Sequence, residues 1–164
     1  MDNCLNVIYS NDLYCHQLAN QIKQGAESRN CKTSLNEYSS DLHLTFSNSL
    51  AFVVNDVNQV ELFLNLPNLK ANTISVIYVS KNSKILEWQL IEKLTQKRGL
   101  TVLNLLTIKL NGILKIFGRF SPLSEVDLAR ASAIGEKIAY SVSQIKPKSK
   151  DKDNSKTRIP GYVR

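Results

Sequence analysis

Apolar residues along this chain fall into short continuous runs, separated by stretches in which they recur every third or fourth position. The run CLNVIY (4–9) reads as a strand closed by Ser10 and Asn11. Leu18, Ile22 and Ala26 then mark one face of a helix from Tyr14 to Ala26, with Gly25 and Asn30 at its exit. KTSLNEYSS (32–40) is a more polar strand, suited to a sheet edge or the place beside it. SLAFVVN (49–55) reads as a buried strand, followed by a short helix from Gln59 to Leu66 that ends at Pro67. TISVIYVS (73–80) has β-branched residues on both faces, the mark of a central strand covered by helices on either side. Leu86, Leu90 and Leu94 define another helix, with Gly99 as its cap, and LTVLNLLTIKL (100–110) supplies a fifth strand. The last helix opens at Ser124, with Pro122 before it and Asp127 three residues on as an approximate capping box. Leu128, Ala131, Gly135, Ile138, Val142 and Ile145 form its buried stripe.

Strand and helix alternate throughout, which predicts a doubly wound parallel α/β sheet with right-handed crossovers and helices on both faces. The 164 residues suffice for one domain with a full core, set at residues 1–145, and a tail, 146–164. An apolar content of 43% is that of an ordinary globular chain, and runs such as Leu50–Val54 are far too short to cross a bilayer. The N-terminus lacks the basic and apolar regions of a signal peptide, so a cytoplasmic location and no membrane partner are expected. Charge is uneven. From Lys146 onward there are seven basic and two acidic residues, so +5 of the formal +7 belongs to the tail.

Two stretches resemble the flavodoxin family. GRFSPLSEVDLARASAIGEKIA (118–139) is similar to the family's closing pattern of Gly, Pro, acidic cap, Ala-Arg-Ala and Gly-x-x-Ile-Ala. SNDLYCHQLA (10–19) keeps the frame of its phosphate loop, Ser/Thr-x-Thr-Gly-x-Thr-x-x-Leu-Ala. The resemblance implies a five-stranded parallel sheet in the order 2-1-3-4-5, with flavin mononucleotide (FMN) at the strand C-termini. If FMN binds, it implies contacts from Ser10, Asn11, Asp12, Leu13, Tyr14 and Cys15, then Asn55, Asp56, Ser80 and Asn82. Within that frame Ser10 matches the first hydroxyl, while Asp12 replaces threonine, Leu13 glycine and Cys15 the last threonine. An ionised Asp12 accepts hydrogen bonds and repels a phosphate dianion, and Leu13 lacks glycine's freedom of approach. Asp12 is better suited to cap the helix, so the phosphate loop is degenerate and the expected cofactor is none, with FMN the alternative. The segments NDVNQV (55–60) and SKNSK (80–84) lack the Pro-aromatic-Gly and the glycines that would frame a flavin ring.

Side-chain catalysis has little support. Cys15 and His16 are neighbours on a helix and diverge by about 100°. His43 lies in a polar loop, Glu61, Glu87 and Glu92 are set to face water, and no Gly-x-Ser-x-Gly elbow occurs. No catalytic residue is assigned; any enzyme activity would be that of an FMN-dependent oxidoreductase. Trp88, with Ile91 and Thr95 on neighbouring turns, reads as packing, and Tyr9 and Tyr14 as cover for the sheet edge and helix start. Cys4, Cys15 and Cys31 contain no C-x-x-C pair and no metal-ligand spacing; Cys15 alone gains reactivity if it lies in a helix's first turn. The tail's Lys148, Lys150, Lys152, Lys156 and Arg158 form a flexible polycation, and Ile159, Tyr162 and Val163 flank a Pro-Gly turn as a compact anchor. The expected partner is therefore another protein or a larger assembly engaged through 146–164, with nucleic acid the alternative.

Overall fold

The computed structural model describes residues 4–44, 47–80, 88–110 and 123–145. Five strands, β1 (Cys4–Tyr9), β2 (Lys32–Glu37), β3 (Ser49–Val54), β4 (Thr73–Ser80) and β5 (Thr101–Lys109), form one sheet in the order β2-β1-β3-β4-β5. Every neighbouring pair is parallel. Four helices cover it: α1 (Leu13–Glu27), α2 (Val57–Leu64), α3 (Trp88–Lys97) and α4 (Glu125–Ser143).

Burial follows the two-residue period of each strand. Leu5, Val7 and Tyr9 of β1, Ala51 and Val53 of β3, and Ile77 and Val79 of β4 pack beneath α1 and α4. Ile8, Leu50, Phe52, Val54, Ile74, Val76 and Tyr78 face the α2 and α3 side. β3 and β4 are buried along their whole length, which accounts for their mostly apolar sequences, in which only the hydroxyls Ser49, Thr73, Ser75 and Ser80 interrupt. Polar groups inside the sheet are paired. Ser49 Oγ lies 2.5 Å from Thr73 Oγ1, Asn104 donates to Ser75 Oγ at 3.1 Å, and Ser34 donates to Asn6.

Several elements depart from the pattern read in the sequence. No helix links β2 to β3 among the described residues; β2 itself stops at Glu37. Residues 38–44 have no 3.6-residue apolar period, and Tyr38, Leu42 and Leu44 instead lie directly on the α2 and α3 core. α2 starts at Val57 and ends at Leu64, two residues before expected at each end. Its start is set by a capping box in which Asp56 accepts from the helix and Gln59 Oε1 accepts from the Asp56 backbone. In α3 the buried residues are Ile91 and Thr95, flanked by half-buried Trp88 and Leu94, while Leu90 is 41% exposed and Leu86 lies outside the described residues. Ile145 falls beyond the end of α4, and Asp127, read only as a cap, is buried. Gly99 does adopt positive φ (69°) at the α3 exit, and Asn30 does so after α1 (57°).

Gly25 has a different part from the helix exit assigned to it. It lies inside α1, and a Cβ added there would sit 2.0 Å from the Ser132 carbonyl oxygen of α4. At Gly135 of α4 an added Cβ would sit 2.0 Å from the Ile22 carbonyl oxygen of α1. The two helices touch backbone to backbone at this crossing. Arg29, just past α1, closes it with an Nη2–Oε2 contact of 2.6 Å to Glu136.

Candidate functional site

Strand order reverses between β1 and β3, so the chain leaves β1 toward one sheet edge and β3 toward the other. In doubly wound sheets this opens a crevice at the C-terminal ends of those strands. The loops 10–12 and 55–56 flank it, held together where the Ser10 N–H donates to the Val53 carbonyl at 3.1 Å.

In the first loop Asp12 is the N-cap of α1, in extended conformation (φ −147°, ψ 135°). Its Oδ1 accepts from the backbone N–H of Tyr14 at 3.0 Å and of Cys15 at 3.2 Å. These are the donors with which a helix N-terminus would hold an anion. Asp56 repeats the device on α2, its Oδ1 accepting from Asn58 N–H at 2.8 Å. At α4, Ser124 Oγ accepts from Asp127 N–H at 3.2 Å and donates to Asp127 Oδ2 at 2.8 Å. At these three N-termini a side-chain oxygen of the chain itself takes a place an anion would need.

The remaining loop residues separate by burial. Tyr14 and Cys15 turn into the core beneath α1 and α4, whereas Leu13 is 63% exposed and Asn11 faces solvent. The cysteine lies in the first turn as anticipated, but it is fully buried, which removes the access that reactivity requires. Ser10 is only 4% exposed and its hydroxyl oxygen has no hydrogen-bond partner, so an unmet polar group stands at the mouth of the crevice. Asp127 Oδ1 is likewise without a hydrogen bond, with Arg130 Nη1 at 3.9 Å. The sequence marks Ser10 as a phosphate-loop position; that its hydroxyl is orphaned follows from packing alone.

Beside the crevice the Tyr9 ring stacks on His16, centroids 5.0 Å apart. Burial, with the nearby Glu37 carboxylate adding to it, pushes the Tyr9 phenol above its ordinary range, so it stays a neutral hydroxyl. Asp41, by contrast, is held below the usual carboxylate range by the Ser39 hydroxyl and its own backbone N–H. Asn55 is half-buried, its N–H committed to Gln59 Oε1 at 2.9 Å, and Ser80 is buried at the end of β4. Asn82 and the tail residues lie outside the described residues. His43, Glu61 and Glu92 are exposed, and Glu87 is outside the described residues. Among the described residues, no group of three His, Cys, Asp or Glu side chains could hold a metal ion, and no helix is long and apolar enough to cross a membrane.

At the N-terminus of α1 the Asp12 carboxylate occupies the place where a phosphate would accept from Tyr14 and Cys15. A phosphate on the Tyr14 and Cys15 N–H groups would displace a cap worth about 1 kcal/mol. It would also lie beside a carboxylate, and like unit charges some 4 Å apart repel by about 4 kcal/mol at an effective dielectric near 20.

No protein-family profile matches the sequence, and no curated protein is significantly similar to it. Solved structures do match. A flavodoxin from the domain Archaea superposes with a TM-score of 0.56 at 16% identity, over 85% of this chain and 99% of its own. A flavone reductase gives 0.59 at 12% identity over 85% of this chain, which spans only 63% of that enzyme. The two-electron reduced flavodoxin of Megasphaera elsdenii gives 0.53 at 12% identity, covering 83% and 98%. The fold is flavodoxin-like, with the sheet order 2-1-3-4-5.

Proposed function

We propose that this chain is a flavodoxin-like module that works without flavin, as an interaction or assembly subunit that docks through residues 146–164. The observation that carries the first half is the Asp12 carboxylate bonded to the Tyr14 and Cys15 N–H groups. For the second half, support comes from the charge of the tail, five of the seven net positive charges, and its Ile159, Tyr162 and Val163 anchor.

A second reading, an FMN-binding electron carrier or flavin-dependent reductase, is favoured by the orphaned Ser10 hydroxyl and by neighbours that are a flavodoxin and a flavone reductase. One titration separates the two. Adding FMN to the full chain is expected to leave flavin fluorescence unquenched and the melting temperature unmoved. Asp12→Ala should cost about 1 kcal/mol of stability through the lost cap. Quenching at stoichiometric protein would establish the flavin reading instead.

For the tail, removal of residues 146–164 should leave the melting temperature of the domain unchanged and abolish co-purification of its partner. A truncated chain that melts lower, or still captures the partner, would refute docking through the tail.

A further inference from the structure

The edge of the sheet opposite the crevice has the reverse electrostatic character. Strands begin there and helices end there, so Lys32, Lys70, Lys97 and Arg98 from separate loops and element ends meet along one side of the molecule. All four are exposed. Arg98 bonds Asn65, tying the end of α3 to the end of α2, and the Thr101 and Asn72 backbones join the next two connections. Four strand spacings set the width of this edge at roughly 20 Å. Among the described residues, Glu27 is paired with Lys23 at 3.5 Å and Glu136 with Arg29 at 2.6 Å. The crevice end has Asp12, Glu37, Asp56 and Glu125, with Lys109 at the end of β5.

At one end of the basic edge, between the end of α1 and the last turns of α4, lies a cleft of about 410 Å³. Lys137, Tyr140 and the bonded pair Arg29 and Glu136 line it, and Lys32 follows Cys31, which also lines it. Tyr140 is 66% exposed, so one face of its ring is open to solvent. An exposed ring next to a lysine is an arrangement on which a nucleobase stacks while its phosphate meets the cation. Ser143, the last residue of α4, also lines the cleft.

We infer that this edge binds single-stranded nucleic acid, with a base stacked on Tyr140 in the cleft and the phosphate backbone tracking Lys137, Lys32, Lys70, Lys97 and Arg98. The inference stands apart from the question of flavin, because the crevice is at the other end of the strands. A duplex would present its phosphates but not an unstacked base face to Tyr140, and an acidic protein surface would leave the ring without a planar partner.

Fluorescence anisotropy of the full chain with a labelled oligouridylate of about 12 nucleotides, across a range of salt, tests it. Tyr140→Ala should weaken binding about tenfold without changing the salt slope, since stacking releases no counterions. Lys137→Ala and Lys97→Ala should each lower the slope of log affinity against log salt by about 0.7. A chain with Lys148, Lys150, Lys152 and Lys156 replaced by alanine should bind less tightly but retain the Tyr140 dependence. The idea is overturned by three results: no binding at low salt, binding indifferent to Tyr140 and Lys137, or tighter capture of phosphatidylserine vesicles than of the oligonucleotide.

Discussion

Gly135→Ala is expected to lower the stability of the domain by about 3 kcal/mol, the upper end of what overpacking a core costs. The new methyl carbon would lie 2.0 Å from the Ile22 carbonyl oxygen, 2.8 Å from its carbon and 2.9 Å from the Ala26 nitrogen. All three atoms are backbone inside α1, so no side chain can swing aside to make room. Relief requires α1 and α4 to separate, and that loosens Leu18, Ile22, Ala131 and Ile138, each fully buried in the same cluster. Gain in helix propensity from alanine offsets about 1 kcal/mol at most. Gly25→Ala should behave alike, because its methyl would meet the Ser132 carbonyl at 2.0 Å. For a domain of this size 3 kcal/mol corresponds to a fall of roughly 10 °C in melting temperature. A thermal melt of Gly135→Ala within a degree or so of the parent chain would show that the helices do not cross as described.

The glycine pair also illustrates what can be read from a one-dimensional pattern. Gly135 falls within a visible apolar stripe and Gly25 looks like a helix exit, yet their shared role exists only because distant segments meet. β3 and β4 were legible because burial on both faces leaves apolar residues broken only by small hydroxyls, Ser49, Thr73, Ser75 and Ser80, and that signal needs no tertiary knowledge. The Asp12 cap was legible for a similar reason: a carboxylate just before an apolar period has one local use that outweighs the rest. At α2 the capping box of Asp56 and Gln59 starts the helix at Val57, two residues before the Gln59 start read from the apolar pattern. In α3, Leu86, Leu90 and Leu94 compete with Trp88, Ile91 and Thr95 as the inward face; packing against β5 and α2 decides between two equally periodic stripes. The basic edge was invisible in sequence because its cations come from four separate stretches and are assembled by topology alone. The orphaned Ser10 hydroxyl depends on what its neighbours fail to offer, which no local pattern records.

The crossover from β2 to β3 leads to the second large effect. With no helix to cover this part of the sheet among the described residues, residues 38–44 rely on Tyr38, Leu42 and Leu44 resting on the α2 and α3 core. Phe63 is the residue Tyr38 meets. Its ring stacks on Tyr38 with centroids 4.6 Å apart and meets the edge of Phe52 in β3 at 5.2 Å. It is among the largest buried side chains, only 1% exposed. Phe63→Ala should therefore cost about 3–5 kcal/mol, the range for removing a buried aromatic ring, since neither the sheet nor α2 can move in to fill the space. Tyr38→Ala should cost less, because Tyr38 is only half-buried, and the two together should fall short of the sum by about 1 kcal/mol, the worth of the ring pair. Urea unfolding of the four chains in that cycle measures both quantities. Amide exchange adds a local test: in Phe63→Ala, protection should fall first across 38–44 and α2, while β1 and α1 exchange only by global unfolding. Loss of protection spread evenly over the sheet would mean that the crossover is held by something other than this ring, and that the absent helix is compensated elsewhere.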